Sequence, residues 1–163
     1  MRSRVSELLV KRMEQADVAP LAKALGRPVE GLDHRWRELQ SGDSQMFVAE
    51  VEGRPGGSVS SNVHDDVPGL LHLFALDVVP AHQRRGVGTA LIQRVEEQAV
   101  LRGMAGVWLD VQIANEGARR LYERLGYRVE GDVVINRYTR YSSGEEVEDV
   151  CHRMFKRFNI GGA

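Results

Sequence analysis

The chain has 163 residues, 42% of them hydrophobic and 28% charged, and a net charge of −1. That length holds one domain with a real core. The near-zero charge gives no global basic field for nucleic acid or an anionic membrane, and a single cysteine, Cys151, excludes an internal disulfide and a cysteine metal cluster. The opening MRSRVSELLVKR has basic residues but no apolar run behind them, so no signal peptide is expected; no stretch approaches the roughly 20 apolar residues of a membrane span, and a cytoplasmic protein is the default.

Taken in chain order, residues 8–13 form a first short strand. Asp17 is placed to cap a helix carrying Val18, Leu21, Ala22 and Leu25, and Gly26 to end it. A second short helix covers 31–39 with Trp36 and Leu39 inward, and Ser41-Gly42-Asp43 is a turn. Strands over 46–51 and 57–63 flank Glu52-Gly53-Arg54-Pro55-Gly56 as a hairpin whose register is left open by Gly56-Gly57. A polar loop with His64, Asp65 and Asp66 leads to 70–79, an apolar buried strand stopped by Pro80. A basic glycine-bearing turn follows at 83–88. From Thr89 the pattern is helical, with Leu91, Ile92, Val95 and Ala99 on one face. Residues 107–113 read as another strand. The segment 115–125 is an amphipathic helix with Ala118, Leu121, Tyr122 and Leu125 on one side, stopped by Gly126. Residues 127–138 and 147–158 form a closing antiparallel pair, and 161–163 a frayed tail. The class is α/β (α+β), a mixed and mostly antiparallel sheet flanked by helices, in a single domain over 1–163.

The strand–loop–helix unit at 70–101 leaves the first helical N–H groups free, with the positive end of the helix dipole at the loop. That is a site for an anion such as a phosphate. A P-loop requires G-x-x-x-x-G-K-[ST], which is absent. A Rossmann fingerprint fits at Gly86 and Gly88 but meets Leu91 at its third glycine. Gln83-Arg84-Arg85-Gly86-Val87-Gly88 instead fits Q/R-x-x-G-x-G/A, and Asn115 to Tyr127 fits N-x-x-A-x-x-L-Y-x-x-x-G-F/Y. In these two blocks, in this order with a strand between them, the chain resembles the GNAT superfamily of GCN5-related N-acetyltransferases.

The resemblance implies acetyl coenzyme A as acyl donor, with no metal. It implies that the pyrophosphate sits on Gln83, Arg84, Arg85, Gly86, Val87, Gly88 and Thr89, and that the pantetheine arm pairs like an added strand at Leu76 and Val78. This pairing requires the 107–113 strand to splay away. Asn115 matches the family's cofactor-contacting asparagine and is equally a helix N-cap. The amine acceptor is a small molecule, peptide or protein, and family members often form homodimers.

The implied transfer needs a neutral amine, a donor for the oxyanion and a proton for the departing thiolate. Tyr122 matches the family tyrosine whose hydroxyl faces the sulfur and is the candidate general acid; the alternative is a core-facing aromatic with a wet tip. His72 lies four residues before Leu76, an offset resembling that of the catalytic glutamate in the histone-acetylating branch, and by strand parity shares its face. A histidine there would titrate near neutrality and act as base, or else be a satisfied core histidine. Asp77, on the other face, reads as structural. Cys151 is not a nucleophile, because His152 points to the opposite face. The rival function is a non-catalytic acyl coenzyme A sensor, or a nucleotide-binding regulatory module.

Overall fold

The computed structural model describes residues 7–159. They form a mixed α/β fold with a mostly antiparallel central sheet and four α-helices, and divide into two compact units, residues 7–62 with 75–95 and residues 63–74 with 96–159.

The first unit opens with β1 (Leu8–Arg12), α1 (Gln15–Leu25), α2 (Val29–Glu38), β2 (Gln45–Val51) and β3 (Arg54–Val63). β1 pairs antiparallel with β2, Leu8 opposite Val51. Asp17 caps α1, but from its third position: its carboxylate accepts the Glu14 backbone N–H at 2.8 Å in a capping box. Gly26 closes the helix at φ +68°. Val18, Leu21, Ala22 and Leu32 bury against Met13, Met46, Val48 and Val79, with Trp36 and Leu39 packed alongside. The β2–β3 turn is only Glu52-Gly53, both left-handed at φ +53° and +77°, a two-residue hairpin turn. Arg54 to Gly56 belong to β3, and the open register resolves as a bulge: Ala49 faces Gly57 and Glu50 faces Pro55, leaving Gly56 over.

Strand β4 (Leu71–Val78) and helix α3 (Val87–Leu101) each contribute to both units. At its second half β4 lies so close to β3 that a Cβ on Gly57 would collide with the Asp77 carbonyl oxygen. The strand ends as expected at Pro80, which starts a short 3-10 turn to His82.

The second unit adds β5 (Gly106–Gln112), α4 (Glu116–Arg124), β6 (Arg128–Val129), β7 (Val134–Thr139) and β8 (Glu146–Arg157). The first half of β4 pairs parallel with β5, and β5 pairs antiparallel with β8. The closing pair has three strands rather than two. Left-handed Gly131 at φ +78° interrupts the expected 127–138 strand, so β6 and β7 pair separately with β8. The expected tail at 161–163 lies outside the described residues. No helix among the described residues is long and apolar enough to cross a membrane.

Gly106 on β5 sits against β8 so tightly that a Cβ would overlap the Lys156 carbonyl oxygen, whereas Gly117 in α4 has open space around it. Backbone cannot yield as a side-chain tip can, so Gly106→Ala should destabilise the fold by about 1–3 kcal/mol. Gly117→Ala should be neutral or stabilising by up to about 1 kcal/mol, because glycine is a poor helix former. Urea unfolding midpoints at unchanged slope check both.

Candidate functional site

The β4-to-α3 connection combines strained backbone with unused donors. After extended Gln83, Arg84 and Gly86 are left-handed at φ +64° and +79°, bracketing Arg85. A left-handed conformation costs an ordinary residue roughly 1–2 kcal/mol, so Arg84 marks a place where the surroundings dictate the backbone. The Ala90 N–H donates to the Gly86 carbonyl at 3.0 Å. The N–H groups of Val87, Gly88 and Thr89 lie ahead of that bond, in the first turn where a helix supplies no acceptor. The helix therefore begins two residues earlier than the apolar periodicity from Thr89 indicates, because Gly88 carries no side chain to register in the pattern. Val87 is buried and pins the turn; Gln83, Arg84, Arg85 and Gly86 are exposed. Left-handed residues that curve successive N–H groups inward make an anion-binding concavity, and these residues fit a pyrophosphate.

Upstream, Ala75 is left-handed at φ +52° inside β4. His72 and Leu76 therefore stand on either side of a backbone irregularity, where regular strand alternation cannot be assumed. Leu76 and Val78 lie beyond the break, both half-buried. Asp77 is held by Arg27 at 2.9 Å and Arg35 at 3.7 Å, a structural role. Pairing of β4 with β5 covers Leu71–Val107 and His72–Trp108, whereas β5 continues with β8 to Gln112.

His72 stacks on Trp108 with ring centres 4.1 Å apart and on Phe74 at 5.1 Å. Burial is the main force on its imidazole; His64 and Arg153 add to it and Asp110 and Asp66 oppose it, leaving the pKa lowered to about 4. The near-neutral titration expected for a base at this position is not what these surroundings give.

A charged network invisible to the sequence reading backs this stack. Arg153 on β8 grips Asp110 on β5 through Nε at 2.8 Å and Nη2 at 3.0 Å, reaches Asp66 at 3.4 Å, and lies 4.4 Å over the Trp108 ring. Asn136 on β7 donates to the second Asp110 oxygen at 3.0 Å and contacts the Cys151 sulfur at 3.8 Å. Burial and the Asp110 charge push the Cys151 thiol up, away from the reactive thiolate. The signal for this network was the pairing of Asp110 with Arg153, and that needs the β5–β8 register.

On α4, Tyr122 is buried, its ring edge-on to Tyr127 at 5.8 Å, and burial pushes its phenol up to about 12. Tyr127 donates to Glu96 at 3.3 Å, and Lys156 meets the other Glu96 oxygen at 2.6 Å. Asn115 caps α4, its side-chain oxygen accepting the Ala118 N–H at 3.1 Å.

Because the folded pKa of His72 lies below the ordinary 6.5, the unfolded chain binds the extra proton between about pH 6.5 and pH 4. Stability from this residue is complete above that window and is lost as pH falls through it. Urea unfolding between pH 7 and pH 4.5 should show a smaller loss for His72→Phe, which keeps a stacking ring, than for the wild type.

A family model described as the acetyltransferase (GNAT) family matches residues 11–127. An N-acetyltransferase of Methanocaldococcus jannaschii is 36% identical over 95 residues, covering 55% of this chain and 41% of that protein. The ribosomal protein bS18-alanine N-acetyltransferase of Escherichia coli is 42% identical over 55 residues, covering 34% of this chain and 37% of that one. The matches thus span about two fifths of these relatives. The crystal structure of the Escherichia coli ribosomal-protein-S18-alanine enzyme superposes with a TM-score of 0.70 at 23% identity, over 96% of this chain and 97% of that one. A Bacillus anthracis acetyltransferase solved with acetyl coenzyme A gives 0.71 at 15% identity, over 93% and 100%. At such identities the superpositions speak for the fold alone.

Proposed function

Because the chain belongs to the GNAT acetyltransferase family, we propose that it moves an acetyl group from acetyl coenzyme A to an amine by direct transfer in a ternary complex. The observation that carries this reading is the 83–89 loop, where left-handed Arg84 and Gly86 precede the amides of Val87, Gly88 and Thr89 that lie ahead of the first α3 bond. Bound there, acetyl coenzyme A supplies an activated acyl carbon and a thiolate leaving group.

The chain's own residues do the rest. The Val87, Gly88 and Thr89 N–H groups hold the pyrophosphate, with Gln83, Arg84, Arg85 and Gly86 forming the rim. The backbone of Leu76 and Val78 offers the pantetheine amides a strand edge. Asn115 keeps its cap and adds a contact through its amide group. Tyr122 is the general acid. With its pKa near 12 it holds its proton throughout the working pH range and donates a hydrogen bond to the sulfur as negative charge develops. His72 is neutral at pH 7 and, in this reading, serves as a wall of the aromatic stack and not as the base. The acceptor is an amine of a small molecule, a peptide or a protein; the Escherichia coli relative is named for an alanine of a ribosomal protein.

Acetyl coenzyme A should raise the melting temperature in a saturable way, and ATP and NAD should not; absence of any shift and of saturable binding counts against the reading. Tyr122→Phe should lower kcat by roughly 10²-fold or more while acetyl coenzyme A affinity changes little, since the hydroxyl acts on the leaving group. Steady-state kinetics beside a binding titration separates the two effects.

A further inference from the structure

Resting on the acetyl-transfer reading above, we infer that Arg27 and Arg35 make the protein prefer acceptor amines that carry a carboxylate near the reacting nitrogen. That reading puts the donor's pyrophosphate at 83–89 and its arm along Val78 and then Leu76. The acyl end therefore runs back along β4 past Asp77, the charged residue between those two backbone partners. Arg27, Arg35, Asp77 and the 83–89 loop all belong to the first compact unit.

The charges over Asp77 do not balance. Arg27 Nη2 donates to Asp77 Oδ1 at 2.9 Å, whereas Arg35 Nη1 stands 3.7 Å from Oδ2, too far for a hydrogen bond. A single carboxylate offsets only one of these guanidinium charges, so positive charge is left over. A guanidinium carries several N–H donors in a planar fork, and Asp77 occupies few of them. Exposure decides which charge a ligand meets first. The Asp77 side chain is 17% exposed, Arg27 52% and Arg35 40%, so the rim open to solvent is cationic and the carboxylate lies behind it.

Acidic side chains farther along α2 are engaged on their own helix: Asp33 with Arg37 at 2.8 Å, and Glu38 with His34 at 3.2 Å. Arg27 follows the cap of α1 and Arg35 stands on α2, so the two arginines bring the α1–α2 segment onto the strand beside the proposed acyl end. The planar fork of arginine matches a carboxylate. Free amino acids carry that group next to the amine, and peptides with an acidic residue close to the N-terminus carry it a few bonds away. Either would dock its carboxylate on Arg35 and the outer edge of Arg27 and leave its amine facing the donor.

The test uses matched acceptors that differ in charge: alanine against alaninamide, and a peptide beginning Ala-Asp against one beginning Ala-Asn. Each is assayed with acetyl coenzyme A in the wild type, Arg35→Gln, Arg35→Lys and Arg37→Gln. Arg35 is exposed on a helix and its replacement spares the Arg27–Asp77 bond, so Arg35→Gln should fold. Comparing variant with wild type for each acceptor cancels differences in amine basicity. In at least one pair, Arg35→Gln should lower kcat/KM for the acidic member roughly 5-fold to 10-fold more than for its neutral partner. The loss should lie in KM, with kcat and acetyl coenzyme A affinity unchanged. Arg35→Lys should recover most of it, and Arg37→Gln should show no such difference. An effect in the alanine pair identifies a main-chain carboxylate as the recognised group, and one in the peptide pair a side-chain carboxylate. Equal effects of Arg35→Gln on both members of both pairs overturn the inference and leave acetyl transfer standing. A wild-type protein that transfers acetyl to no amine, acidic or neutral, overturns both.

Discussion

One strand sets the terms for everything else. β4 shares only two residue pairs with β5 and turns left-handed at Ala75 soon afterwards. Backbone N–H and C=O groups need partners somewhere, and a strand that leaves its neighbour early has an edge to offer. The chain invests in keeping that strand in place. Gly57 allows β3 to approach where no side chain would fit, Val79 donates to the Gly56 carbonyl at 2.8 Å, and Arg27 and Arg35 hold Asp77. An alanine in a conformation that suits glycine persists only where the surroundings over-determine it. Arg84 is in the same position nine residues on, so one strained non-glycine residue stands just before the segment proposed to contact the donor and another within it.

Two charged clusters of the second unit lie against rings. Arg153 satisfies Asp110 with two parallel bonds and lies over Trp108, which in turn stacks on His72. Such a pair adds little net stability compared with an apolar equivalent, yet removing one partner leaves a costly unpaired charge. Its value is orientation: a fixed guanidinium keeps the indole and imidazole planes parallel. Glu96 does similar service on α3, where it accepts from both Tyr127 and Lys156; Tyr122 packs edge-on against Tyr127.

Much of this was legible in the sequence because it is local. The turn into α3 follows from glycine placement and from where a helix must begin. The Asn115 cap and the Gly126 stop follow from two residue types at two offsets, and both are present. What was not legible depends on register or on tertiary backbone geometry. Nothing about Ala75 as a residue type announces a left-handed conformation, and strand parity from His72 to Leu76 takes no account of one. The expected titration of His72 failed for a related reason: Trp108 and Arg153 come from distant parts of the chain and become its neighbours only through strand pairing. Gly131 was visible, but a glycine within a strand pattern does not say whether it bends the strand or splits it.

The account stands or falls on transfer itself. The most direct measurement follows free thiol released from acetyl coenzyme A across a panel of small amines, peptide N-termini and lysine peptides, with the acetylated product quantified by mass spectrometry in the same samples. The account predicts thiol release that depends on an added amine and matches the acetylated amine one for one. No release with any amine, or release with no acetylated amine to match it, would contradict it.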